Sequence, residues 1–256
     1  MSDKKLNLSV LKAFELLEAF SAENATYGVR ELANKTGYNK STVYRLLNTL
    51  NHLNIVHQDS NEKYQLGSKL FALGNRVSIY NAIRNITQEP LKQVALEIQE
   101  TVLLSIVKED KVFHIDKADS LYGLQINTSI GAYQALHATA SGKLLLAFSS
   151  ETSQQRILKQ QTLKKFTKNT IIDLVILTDE LKKIKDLGYA LDLEELENGL
   201  VCIAIPIKNK KNKVIASLSA SGPLSRFKME NVSKYINTLK KGQSIIASKL
   251  QDFDNL

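Results

Sequence analysis

The chain has 256 residues, 43% hydrophobic and 23% charged, enough apolar material for ordinary cores and more length than one typical domain needs. Lys and Arg outnumber Asp and Glu by 34 to 26, and the net charge of +8 suits a polyanionic partner without locating a site for one. One Cys excludes an internal disulfide framework and a Cys-rich zinc site; no apolar run reaches membrane-spanning length, and the start MSDKKLNLSV lacks a secretory core, so the expected compartment is the cytoplasm.

Residues 8–22 read as a first helix, with Val10, Ala13, Phe14, Leu17 and Phe20 on one face and Ser9 as its N-cap. Residues 27–53 organise the reading. They form two short helices around Gly37, which supplies the left-handed backbone position such a turn needs. The first carries Val29, Leu32 and Ala33. The second, 40–53, is capped by Asn39 and lines up Val43, Leu46, Leu47, Leu50 and Leu53 at helical spacing. The face left over carries Lys40, Ser41, Thr42, Tyr44, Arg45 and Asn48, which hydrogen-bond to phosphates or base edges, as the start of a recognition helix requires. Two amphipathic helices around a glycine also occur in domains that never touch DNA, and such a face can be simply solvated.

Residues 55–58 and 63–66 read as short strands joined by the turn 59–62, making a hairpin after three helices: a winged helix-turn-helix. Lys63 and Asn61 on this wing would reach the phosphate backbone or the minor groove. Residues 67–86 form a further helical pattern with Leu70, Leu73, Val77 and Tyr80 in a narrow seam, which suits either a linker and dimer contact or packing on its own domain. Pro90, after Thr87-Gln88-Glu89, predicts a new helix start, so the domain boundary is expected between Arg84 and Thr87.

The remainder alternates. Helices are predicted over 91–100, 139–148, 151–168, 173–187 (stopped by Gly188) and 229–250, and strands over 102–107, 112–116, 124–129, 189–193, 200–207 and 214–221. Helices outside a largely antiparallel sheet make an α+β domain able to enclose one small ligand.

Several chemistries are set aside. Ser141-Gly142-Lys143 is followed by Leu144 and preceded by His137 where a phosphate loop needs Ser or Thr and Gly. His52, His57, His114 and His137 show no metal-binding spacing, although His114 and His137 could meet in space. A nucleophilic Cys202–His137 pair has no family-type signature, and a buried free Cys behaves as a small hydrophobe. No catalytic residue, metal or cofactor is expected.

The whole pattern resembles the IclR-type transcriptional regulators. The resemblance rests on ELANKTGYNKSTVYRLLNTL and YQLGSKLFALG in residues 9–74, HATASGKLLLA at 137–147, DELKKIKDLGYALDLEELENGLVCIAIPI at 179–207 and SLSASGPLSR at 217–226. It implies a winged helix-turn-helix DNA-binding domain over 1–67, a linker helix over 68–86 and a GAF-like effector-binding domain over 87–256. It also implies a homodimer or homotetramer on double-stranded operator DNA, a repressor in preference to an activator, and a small carboxylate or aromatic acid as effector. On this resemblance the effector pocket falls on Gly131, Ala132, Asp192, Cys202, Ser219 and Ser221, with Leu124, Ile126 and Leu200 shaping specificity. Ser219 and Ser221, two apart on a strand, face the same side. DNA is assigned to Lys40, Ser41, Thr42, Tyr44, Arg45 and Lys63, Arg45 reading a guanine edge. The alternatives are a small-molecule hydrolase and a protein-binding winged helix.

Overall fold

The computed structural model describes residues 6–21, 24–122, 128–160, 162–251 and 253. It divides into two units, Met1–Ser78 and Ile79–Leu256. The chain therefore parts at Ser78, not between Arg84 and Thr87 as expected.

The first unit packs α1 (Leu8–Glu18), α2 (Val29–Thr36) and α3 (Lys40–His52) against a hairpin of β1 (Val56–Gln58) and β2 (Tyr64–Leu66). α2 stops at Gly37, whose φ of 74° lies in the left-handed region. α3 restarts after Asn39, whose Oδ1 accepts from the Thr42 N–H at 2.8 Å. The core is Leu16, Leu32, Val43, Leu47, Val56 and Tyr64 with their neighbours. α1 differs from expectation: Asn7, not Ser9, is its N-cap, and Val10 and Phe14 are exposed while Leu16 is buried. The true inward stripe joins Ala13, Leu16, Leu17 and Phe20, with Val10 and Phe14 displaced outward from it. α4 (Ser68–Gly74) follows and buries no residue.

The expected helix over 67–86 is two. After α4 the chain turns, and α5 (Ser78–Ile98) runs uninterrupted with Pro90 inside it. Pro90 cannot donate to the carbonyl one turn earlier, but its ring is buried with Ile83, Leu91, Val94, Ala95 and Ile98, and that burial outweighs the local helix-stop signal.

The second unit is a six-stranded sheet in the order β5-β4-β3-β8-β7-β6, antiparallel throughout. The strands are β3 (Thr101–Lys108), β4 (Lys111–Ala118), β5 (Tyr133–Gln134), β6 (Ala190–Leu193), β7 (Leu200–Lys208) and β8 (Val214–Pro223). Most of the predicted strand 124–129 lies outside the described residues. Between β5 and β6 come α6 (Ala140–Ala147), α7 (Glu151–Gln160) and α8 (Leu174–Leu187); α9 (Val232–Leu250) closes the chain after a 3-10 turn. α7 is shorter than the predicted 151–168. Beyond it the Thr170 Oγ1 accepts from the Phe166 and Thr167 amides, and the Thr167 hydroxyl donates to the Glu194 carbonyl at 2.6 Å, which holds this stretch as loop.

Alternation sorts the two faces. On β7, Val201, Ile203, Ile205 and Ile207 join the core under α5 and α9, while Leu200, Cys202 and Ala204 face the core of α6 and α8. On β8, Ala216, Leu218 and Ala220 take the first face, leaving Ser217, Ser219 and Ser221 on the second. One sheet thus carries an apolar side and a hydroxyl-rich side.

Candidate functional site

The DNA-facing expectation falls on the first unit. Lys40, Ser41, Tyr44, Arg45 and Lys63 are exposed; Thr42 is half-buried, its amide held in the cap. Ser41 also joins the cap, donating to Asn39 Oδ1 at 2.9 Å. Lys40 and Tyr44, one turn apart, line a concavity with Lys63 and Asn61 of the wing. Arg30, at the start of α2, lines it too, a basic residue the sequence reading missed. Glu31 belongs to the same wall: its carboxylate accepts from the Gly28 N–H at 2.6 Å and sits 3.9 Å from the Lys63 ammonium. Thr42 and Arg45 open instead on the other side of α3, beside Val10, Phe14, Leu70 and Leu73.

The second unit holds a cavity of about 20 Å³ between the Ser-bearing face of the sheet and the N-terminus of α6. Cys202, Ser219 and Ser221, three of the residues that the resemblance assigns to an effector pocket, line it together with Leu200. The register explains the grouping: Ser221 pairs with Cys202, and Cys202 with Asp192, so one row crosses β8, β7 and β6. Asp192 is fully buried behind Cys202, with Oδ1 accepting from the Glu195 amide at 2.7 Å and Oδ2 without a partner. Burial pushes the Asp192 carboxyl up to about 7, and the Glu195 charge adds to the rise. Burial first, and then Asp192, pushes the Cys202 thiol up, so it stays protonated.

Gly131 and Ala132 are not brought to this cavity. Gly131 is exposed with φ 85°, its N–H donates to the His114 carbonyl at 2.8 Å, and the His114 N–H donates to the Ala132 carbonyl at 3.2 Å. The pair fastens the edge of β4 rather than lining the cavity. Leu124 and Ile126 lie outside the described residues.

The structure adds residues that spacing could not signal. His114, Gln134, Thr139 and Ser141 line the cavity with Leu103 and Leu196. A bulge sets His114 there: Leu104 pairs with Asp116 but Ser105 with His114, so Ile115 is the extra residue. Asp116 consequently faces α5, where it accepts from the Thr87 hydroxyl at 2.6 Å, while His114 faces the cavity. Lys143 of α6, also unsignalled, is 1% exposed and ion-paired to Glu195, with Glu180 at 3.7 Å. His137 does not pair with Cys202; its Nε2 meets the Lys164 carbonyl at 2.9 Å. Among the described residues no group of three or more His, Cys, Asp or Glu is placed to hold a metal, and no helix is long and apolar enough to cross a membrane.

Two family descriptions match in tandem: the IclR helix-turn-helix domain over residues 9–60 and the C-terminal part of bacterial transcriptional regulator IclR over 77–247. The HTH-type transcriptional regulator KdgR of Escherichia coli is 35% identical over 243 residues, 94% of this chain and 92% of its own. The crystal structure of the Thermotoga maritima IclR superposes with a TM-score of 0.77 at 32% identity, over 95% of this chain and 99% of that one. An IclR homologue from Microbacterium hydrocarbonoxydans, crystallised with 4-hydroxybenzoate, gives 0.81 at 21% identity over 96% and 100%, a likeness of fold. These relatives are regulators, not enzymes. The chain is a DNA-binding transcriptional regulator and belongs to the IclR family.

Proposed function

We propose that the chain is a repressor acting as a homodimer or homotetramer in the cytoplasm, holding an operator until a small organic acid releases it. In this reading α3 enters the major groove, Arg45 meets a guanine edge, and Lys40 and Lys63 hold phosphates on the side of the wing. The observation that carries it is the exposure of Lys40, Ser41, Tyr44 and Arg45 on a helix whose inward stripe is Val43, Leu47 and Leu50, beside a wing bearing Lys63. The exposed apolar side chains Val10, Phe14, Phe71 and Leu73 of α1 and α4 support self-association of this unit. The cavity at α6 supports a small ligand: hydroxyls and backbone amides can bind a carboxylate there, while Leu103, Leu196 and Leu200 exclude water. Release requires that the ligand prefer one arrangement of the DNA-binding units over another.

Fluorescence anisotropy tests the reading, using the duplex upstream of the chain's own gene beside a scrambled duplex at two salt concentrations. Preferential, salt-sensitive binding to the native duplex is expected, with release by a small acid. Equal weak binding to both duplexes would overturn it. Transcription in vitro from the same duplex should fall when the protein is added, and a rise would make it an activator.

A further inference from the structure

The cavity beside α6 has two chemically distinct poles. At one, the Thr139 hydroxyl accepts from the Gly142 N–H at 3.0 Å and the Thr139 carbonyl from the Lys143 N–H at 2.9 Å. The amides of Ala140 and Ser141 precede that first helical bond, and both residues line the cavity. A helix start with leftover amides and the positive end of the dipole favours an anionic oxygen. At the other pole stands His114, 1% exposed. Its Nδ1 lies 2.8 Å from the Ser105 hydroxyl, while its Nε2 is buried with no partner at hydrogen-bond geometry, and Gln134 is the polar side chain that faces the ring across the cavity. A buried ring nitrogen left unpaired is costly, so a site that keeps one is suited to a ligand that fills it.

We infer that His114 is an effector-recognition residue whose Nε2 hydrogen-bonds a hydroxyl of a small hydroxylated carboxylate, the carboxylate itself resting on the start of α6. The inference deepens the effector reading above and rests on it. A hydroxyl is the group of choice because it both donates and accepts, and so satisfies Nε2 in either neutral tautomer; a carbonyl satisfies only one. Burial keeps the ring neutral, its pKa lowered to about 4, so it adds no charge of its own to the anion's. Ser105 is a positioning residue, holding the ring from behind through Nδ1. A cavity of about 20 Å³ favours the smallest such acids and requires its walls to give when one enters.

The test uses the full-length protein with its four histidines labelled with nitrogen-15 and compares glycerate with propionate, which has the same carbon chain without hydroxyls. Glycerate is expected to shift the His114 Nε2 resonance and to bind about tenfold more tightly than propionate. His114→Phe should remove that preference, and the conservative His114→Gln should retain part of it. Equal affinity for the two acids, an unmoved His114 resonance or no binding by either acid overturns the inference. Operator binding in the same samples separates the two claims: DNA recognition without a His114 response refutes only the ligand assignment, and loss of DNA recognition refutes the regulatory reading.

Discussion

Asp192 on β6 and Cys202 on β7 stand opposite each other in the register, both buried, with burial raising the pKa of each. The row therefore presents a neutral thiol and a carboxyl poised near neutrality instead of the full negative charge expected from an Asp. This bears on an anionic effector: a protonated Asp192 repels it far less than an ionised one.

The same shift makes stability depend on pH. Asp192 has a folded pKa of about 7 against an ordinary 3.8, so its contribution is whole below pH 3.8 and is lost as pH rises through about 7. His114, lowered from 6.5 to about 4, acts in the opposite sense: its contribution is whole above 6.5 and is lost as pH falls through about 4. Between these limits the two slopes oppose each other. Asp192→Asn removes one of them. Urea titrations should show the variant gaining on the parent as pH rises from about 4 to 7, and exceeding it at pH 8 by on the order of 1–4 kcal/mol, while Glu195, raised by its own burial, acts alike in both. Equal stability at pH 8 would mean that Asp192 is not held near neutrality.

Among the described residues Lys143 is the one buried lysine, paired with the buried Glu195. Lys143→Met leaves that carboxylate without its partner and should cost about 3–5 kcal/mol in chemical denaturation. Adding Glu195→Gln removes the stranded charge and should restore most of the loss. A double variant as unstable as the single one would show that packing by the lysine stem matters more than the ion pair.

Gly142 is fixed by space. A Cβ there would meet the Leu136 carbonyl oxygen at 2.3 Å and the Leu136 Cα at 2.5 Å, both backbone atoms. Gly142→Ala should therefore cost about 1–3 kcal/mol and move the start of α6. The measurement is the melting temperature together with the amide shifts of Ala140 and Ser141; an unchanged spectrum would show that the segment before α6 yields easily.

These cases show what was legible in the chain. Helix periodicity, the Asn39 cap and Gly37 are local signals, and they located the recognition helix within a residue or two. Ser219 and Ser221 came from the resemblance, and the two-residue period of a strand added only that they share a face. Pro90 misled because its stop signal is local while the burial that overrides it is tertiary. His114 could not be found by spacing, since a bulge decides which way it faces and a bulge is a property of pairing. Lys143 escaped for a related reason: a buried lysine makes sense only once Glu195 is folded against it.

In the proposed reading Arg45 reads a base and Lys63 holds the backbone, and the two roles are separable. Both are exposed, Arg45 on α3 and Lys63 on the wing, where its ammonium lies 3.9 Å from Glu31. A pair this exposed and long contributes little, so Lys63 is available to a phosphate at small cost. Lys63→Ala should weaken binding to every duplex alike and reduce the slope of log affinity against log salt by about one. Arg45→Ala should cost about 1–3 kcal/mol on the native duplex and much less on duplexes altered at the base it reads, relaxing preference there. Both follow from anisotropy titrations across single-base variants of the operator at two salt concentrations, with circular dichroism confirming that each variant folds. Should Arg45→Ala lower all affinities equally while preference survives, base readout belongs to Ser41 or Tyr44, and Arg45 holds the backbone.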